Sequence, residues 1–151
     1  MENKKIERVV LYLLLVVAIT GCARIKKWKE DIKTKIDIAF QPPKRAVSTA
    51  LPLEEFPPPF DFYLLKNESW AYKDGNNLYS RILYQGKGKI NLVTNFYTNV
   101  LHNKGWTIVE QKSIENYTYL KFDNSNNNHT AEFVIKSIPS GTLITISIKP
   151  M

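Results

Sequence analysis

Alternating apolar and polar residues dominate the chain from Phe60 to its end. Two alternating runs, residues 69–73 and 78–84, flank Asp74-Gly75-Asn76-Asn77, a sequence typical of a tight turn. This pattern predicts a β-hairpin, because period-two alternation is typical of a half-buried strand. Four more alternating strands are predicted further along the chain, at residues 106–110, 117–123, 130–138 and 142–149.

A helical spacing separates the hairpin from the last four strands. Its apolar residues recur every three or four positions, namely at Ile90, Val93, Tyr97, Val100 and Leu101. This predicts one amphipathic helix, capped by Asn91 and ended by Gly105. The element order ββαββββ predicts an α+β fold, an antiparallel sheet of about five to six strands with one helix packed on one face.

The same alternation predicts which side chains form the core, which we expect to lie entirely within residues 60–151. Trp70 fits either face of the sheet, since its strand is short. The expected inward-facing residues are Trp70, Ile82, Tyr84, Val93, Tyr97, Leu101, Ile108, Leu120, Phe122, Val134, Ile144, Ile146 and Ile148.

The N-terminus has the layout of a signal peptide. Lys4, Lys5 and Arg8 precede an uncharged apolar run of eleven residues, 9–19. A permanent membrane span takes about 20 apolar residues, so this run is too short for one. This layout therefore predicts a signal peptide.

The end of this run, Ile19-Thr20-Gly21-Cys22, resembles the lipobox of bacterial lipoproteins, in which a branched aliphatic residue, a small residue and Gly or Ala precede the cysteine. The resemblance implies that residues 1–21 are a lipoprotein signal peptide cleaved before Cys22, and that a diacylglyceryl group is attached to the Cys22 thiol. Cys22 is the only cysteine in the chain. The alternative is an incidental cysteine after an ordinary signal or anchor helix.

Residues 22–40 combine the cysteine with a predicted basic amphipathic helix. Its apolar side chains share one face, while its lysines lie elsewhere. Next to a lipid anchor, such a helix suits the surface of an anionic membrane; it could also pack on the domain or fray. Export excludes nucleic acid as a partner. The predicted membrane-surface residues are Ile25, Trp28, Ile32, Ile36 and Phe40.

Residues 41–59 contain six prolines, which block a helix and favour an extended spacer before the domain at residues 60–151. The alternative is an arm in which Phe56 and the Pro-Pro-Pro-Phe segment dock along the domain.

The distribution of charge supports the division between an N-terminal part and a folded domain. The chain has 21 basic and 14 acidic residues, whereas residues 50–151 have 10 and 9, so the basicity lies in the N-terminal part.

Candidate catalytic and metal-binding residues are sparse. His102 and His129 have no carboxylate or second ligand at a fixed spacing. Residues 123–128 are rich in oxygen ligands but lack the central Gly and late Glu of a calcium loop. Residues 86–89, Gly-Lys-Gly-Lys, match neither phosphate-binding glycine pattern, and no serine lies in a G-x-S-x-G elbow. We expect a protein that is not an enzyme and that uses no metal and no cofactor.

One candidate binding surface follows from the alternation of residues 117–122. If Leu120 and Phe122 point inward, Tyr117, Tyr119 and Lys121 form an exposed stripe on the opposite face. Tyrosine offers contact area at low entropic cost, which favours binding surfaces. The alternative is a half-covered sheet face held by cross-strand pairs, and Glu132 and Lys136 are expected to share a face.

The folded part is also similar to small bacterial lipoproteins of unknown function that have a Pro-rich entry segment. The likeness runs from Phe96-Tyr97 through Gly105-Trp106 to residues 146–150, and it implies no activity. We therefore expect a non-catalytic envelope lipoprotein that presents its domain to a protein partner or an envelope polymer. Ala23 carries no retention signal, which favours the outer membrane, facing the periplasm, if two membranes are present. The alternative is an enzyme or a small-ligand carrier with a pocket between helix and sheet.

Overall fold

The structure is a computed structural model that describes residues 47–151. Within them, eight antiparallel strands form one sheet beside one α-helix and a short 3-10 helix at Lys66–Glu68. The elements are β1 (Val47–Ser48), β2 (Phe62–Leu64), β3 (Trp70–Asp74), β4 (Asn77–Gly86), α1 (Ile90–Asn103), β5 (Thr107–Ile114), β6 (Tyr117–Asn124), β7 (His129–Ile138) and β8 (Gly141–Pro150).

The predicted α+β class is confirmed, and the six predicted strands and the helix occur in the expected order as β3–β4–α1–β5–β6–β7–β8. The predicted count of five to six strands is wrong, because β1 and β2 add two more. These strands are only two and three residues long, which is too short for alternation to be recognised. They form because neighbouring strands offer hydrogen-bonding edges.

The sheet has the strand order β1-β3-β4-β8-β7-β6-β5, so β1 and β5 lie at its two edges. β2 lies off this path and pairs with the end of β4, where Phe62 lies opposite Gly86. β3 pairs with the beginning of β4, where Trp70 lies opposite Arg81. After β4, α1 carries the chain to the far edge, and β5 to β8 then return as three consecutive antiparallel pairs.

Helix α1 ends as the sequence predicts but begins differently. Gly105 adopts φ +81, and the Trp106 amide donates to the Leu101 carbonyl at 3.0 Å, which satisfies a carbonyl of the last turn. The predicted Asn91 cap is wrong. The helix begins at Ile90 after Lys89, whose side chain makes no capping bond, and the Asn91 side chain accepts from the Leu92 amide inside the first turn.

The core lies between α1 and one face of the sheet. Phe133 of β7 is at its centre, with its ring centroid 4.8 Å from that of Tyr97 on the helix and 5.4 Å from that of Phe122 on β6. Phe56 packs edge-on against Trp106 at 5.3 Å. Burial raises the pKa of Tyr84 to about 12 and raises that of Tyr97 as well, so both hydroxyls stay neutral.

Most of the predicted inward-facing residues are buried, and three are not. Trp70 and Val134 point to the face opposite α1, because their neighbours Ala71, Phe133 and Ile135 occupy the core. β7 has apolar residues at both odd-numbered and even-numbered positions, so alternation alone does not show which set points inward. Ile108 lies on the edge strand and is 38% exposed.

The Pro-rich segment is part of the domain over residues 47–59. Phe56 is 1% exposed, and its carbonyl accepts from the Tyr84 hydroxyl at 2.8 Å. The Pro57 carbonyl accepts from the Tyr97 hydroxyl at 3.1 Å, and β1 pairs with β3. The docked-arm interpretation therefore describes Phe56 and Pro57, whereas Phe60 is 90% exposed. The expectation that the core lies entirely within residues 60–151 is wrong, because the buried hydroxyls of Tyr84 and Tyr97 take their acceptors from residues 56 and 57. Residues 41–46 lie outside the described part of the chain.

Candidate functional site

The face of the sheet opposite α1, here called the outer face, is the candidate site. Successive side chains of a strand point to opposite faces. Phe133 and Ile135 of β7 meet the helix side, so Glu132, Val134 and Lys136 lie on the outer face. The same parity places Tyr119 and Lys121 there, because Tyr119 pairs with Val134 and Lys121 with Glu132.

Charged residues form a row across the outer face. From β4 to the edge strand β5, the charges of successive cross-strand partners alternate between positive and negative. Ser147 lies between the first two charged residues, Arg81 and Glu132. Opposite charges directly across a strand pair stabilise the sheet modestly, by roughly 0.2–1 kcal/mol each. The row, in strand order from β3 to β5, is Trp70, Arg81, Ser147, Glu132, Lys121 and Glu110.

Glu132 is the most buried charge of this row, at 7% exposed. Its carboxylate accepts from the Lys149 ammonium at 2.7 Å. A buried carboxylate needs such a partner, since an uncompensated charge is costly. Lys149 is itself partly exposed, so the buried Glu132 carboxylate is paired with a cation that still contacts solvent.

Two neighbouring atoms in the row keep unused hydrogen-bonding capacity. The Arg81 Nε and the Ser147 Oγ are buried, and within residues 47–151 neither has a hydrogen-bond partner. The two residues lie directly opposite each other on β4 and β8. Buried polar groups are nearly always satisfied in native proteins.

The predicted stripe of Tyr117, Tyr119 and Lys121 lies on the outer face, and Leu120 and Phe122 point inward as expected. The stripe is half-buried rather than fully exposed. The Lys136 ammonium lies 5.3 Å from the centroid of the Tyr117 ring. The pKa of Tyr119 is raised by burial and, to a smaller degree, by nearby carboxylates, first among them Glu132. Its hydroxyl therefore remains a neutral donor.

Three further aromatic side chains belong to this face and are absent from the predicted site. Tyr72 pairs across the hairpin with Tyr79, and the ring centroids of Trp70 and Tyr72 are 5.4 Å apart. All three are half-buried. The position of the turn at residues 74–77 was enough to predict that Tyr72 lies opposite Tyr79. It does not show which face of the hairpin packs on the core.

The residues considered for catalysis or metal binding have structural surroundings. The His129 Nε2 accepts a hydrogen bond from the Leu78 amide at 2.9 Å, so this nitrogen is committed to the contact between β4 and β7. His102 is exposed in the last turn of α1. Within residues 47–151, no three His, Cys, Asp or Glu side chains come together to hold a metal ion.

The space between α1 and the sheet is filled by core side chains that are at most 9% exposed. Tyr97 and Leu101 reach down from the helix to meet Phe122 and Phe133. A ligand pocket between helix and sheet, the basis of the enzyme or carrier alternative, would have to displace these rings. No specific observation at this interface supports that alternative.

The lipobox residues Ile19, Thr20, Gly21 and Cys22 lie outside the described residues, as do the membrane-surface residues predicted between Ile25 and Phe40. Within residues 47–151, no helix is long and apolar enough to cross a membrane. Comparison of the chain with protein-family models, curated protein sequences and solved structures gives no match.

Proposed function

We propose that this protein is a lipid-anchored, non-catalytic component of the bacterial cell envelope whose outer face binds a protein partner or an envelope polymer. The observation that carries the proposal is the composition of the outer face, where a row of charges alternates in sign from strand to strand. Half-buried tyrosines lie on both sides of this row.

The chemistry of the outer face supports recognition rather than catalysis. Aromatic rings supply flat apolar contact area, and Arg and Tyr are the residue types enriched where binding energy concentrates. The charges alternate in sign, so the face suits a ligand with mixed polar groups. An envelope polymer with hydroxyl, amide and carboxylate groups, or a polar protein surface, meets this requirement.

The proposed lipid anchor is supported by the lipobox-like segment Ile19-Thr20-Gly21-Cys22 and by the predicted basic helix that follows it. Two or three acyl chains, at about 0.8 kcal/mol per buried CH₂, anchor a protein stably to a membrane. The apolar side of the helix, with Trp28 at headgroup level, would add a weaker contact with anionic lipid. We place the protein in the outer membrane, facing the periplasm, where two membranes are present.

The anchor is tested by replacing the acylated residue. Cys22→Ser is expected to leave an unprocessed precursor without glycerol-linked acyl chains, because a hydroxyl does not replace the thiol as nucleophile. Mass spectrometry of membrane-extracted protein measures both changes. Gly21→Ala is the matched control and should be processed normally, since the lipobox accepts either residue there. An unmodified Cys22 in the wild-type protein would exclude the lipoprotein proposal.

The binding face is tested by site-specific photo-crosslinking in intact envelopes. A photoreactive residue at Lys121 should form adducts with a partner, whereas one at Asn99, exposed on α1, should not. Arg81→Gln should reduce the adducts at Lys121, since it removes charge and hydrogen-bonding capacity from the row. Equal labelling from both positions, or adducts unaffected by Arg81→Gln, would contradict the proposal.

A further inference from the structure

Strand β5 is one of the two edge strands of the described sheet. Among the described strands it pairs with β6 alone, and most of its side chains are exposed. Val109 is 50% exposed and Ile108 is 38% exposed. The backbone groups of an edge strand that point away from the sheet form a template for β-strand addition.

The charges of β5 are arranged symmetrically. Glu110 and Lys112 flank Gln111, and both lie on the outer face, where they pair across β6 with Lys121 and Tyr119. Within the strand their side chains also form an ion pair with each other. Gln111 points to the opposite side, because it pairs with the core residue Leu120.

We infer that β5 joins two copies of this chain edge to edge as an antiparallel pair centred on Gln111. In that register, Glu110 of each copy lies directly opposite Lys112 of the other, on the same face. Two opposite-charge cross-strand pairs then form around the two-fold axis. The sheet continues through the interface, and the two outer faces look in the same direction.

Charged side chains on an edge strand ordinarily discourage pairing. In the register centred on Gln111, the charges attract each other instead. Centring the pair on Glu110 or on Lys112 would set two identical charges opposite each other. Centring it between residues would put outer-face side chains opposite core-facing ones, which a continuous sheet does not allow. The β-bulge between Ile108 and Glu110 limits regular pairing on that side, so the ladder is short and its register depends on the two charges.

The inference is tested by disulfide trapping of the full-length chain in isolated envelope membranes. Directly opposite residues in antiparallel strands have Cα atoms about 4.5–5.5 Å apart, within the reach of a disulfide. Gln111→Cys should form a covalent dimer on mild oxidation. Asn99→Cys, exposed on α1, should not, and the wild-type chain with Cys22 alone provides the baseline, whether or not that cysteine is acylated.

Charge reversals then test the register. In the Gln111→Cys background, Lys112→Glu should slow crosslinking roughly tenfold, because four carboxylates meet at the interface. The double reversal Glu110→Lys/Lys112→Glu restores opposite charges and should restore the rate. Chains with Glu110→Lys alone should crosslink to chains with Lys112→Glu alone faster than either crosslinks to itself. Equal trapping from Gln111→Cys and Asn99→Cys, or a double reversal as slow as the single ones, would overturn the inference.

Discussion

Replacing Phe56 by alanine is expected to lower the free energy of unfolding by about 3–5 kcal/mol. The residue belongs to the Pro-rich segment, yet its side chain is only 1% exposed and packs against the rings of Trp106 and Phe133. Removing a ring from this position leaves a cavity beneath two other aromatic side chains. Urea denaturation of the chain from residue 23, followed by tryptophan fluorescence, measures the loss.

Phe60→Ala is the matched control for Phe56→Ala. Phe60 lies four positions further in the same segment and is 90% exposed, so its replacement should change stability by less than about 0.5 kcal/mol. A chain that begins at residue 60 should lose more free energy of unfolding than Phe56→Ala does. It also removes the carbonyls that accept from the Tyr84 and Tyr97 hydroxyls, and each lost acceptor should cost about 1–3 kcal/mol. Equal stability of the Phe56 and Phe60 variants would show that the segment does not complete the core.

Trp106→Ala is the second large effect that we expect, again about 3–5 kcal/mol. Trp106 is 3% exposed and follows the glycine that ends α1, so it anchors the junction between the helix and β5. Its Nε1 donates to the Glu55 carboxylate at 2.5 Å, which ties the junction to the docked segment. Chemical denaturation with near-ultraviolet circular dichroism reports both the stability and the environment of the ring.

Two variants separate the contributions of Trp106. Trp106→Phe retains most of the apolar contact and loses the donor, so it should cost about 1–2 kcal/mol. Trp70→Ala removes a tryptophan that is only half-buried on the outer face and should cost less than Trp106→Ala. A loss below about 1 kcal/mol for Trp106→Ala would mean that the ring contributes little to the core.

The types and order of the main elements were predictable because they depend on local periodicity. Period two along β6 separated Leu120 and Phe122 from the tyrosines on the other face, and this separation is confirmed. Gly105 also ends α1 as predicted, because a residue with positive φ after the last turn is a local requirement. These features need no knowledge of what packs against the chain.

The candidate site was only partly predictable, because periodicity relates only residues within one element. Tyr117, Tyr119 and Lys121 belong to one strand, so alternation alone grouped them. Arg81 and Ser147 are far apart in the sequence and become neighbours only through the pairing of β4 with β8. No local pattern specifies that pairing, because it depends on which strand edges meet when the sheet assembles.

By itself, the sequence determined the types and order of the six longer strands and the helix, the end of that helix, and the grouping of residues that share a face of one strand. The tertiary structure alone decided which face was covered, as Trp70 and Val134 show, and that Phe56 enters the core. It also decided the row of charges on the outer face and the position of β5 at an edge of the described sheet. The physical reason is that periodicity sets relative positions within an element, whereas burial and register come from contacts between elements distant in the chain.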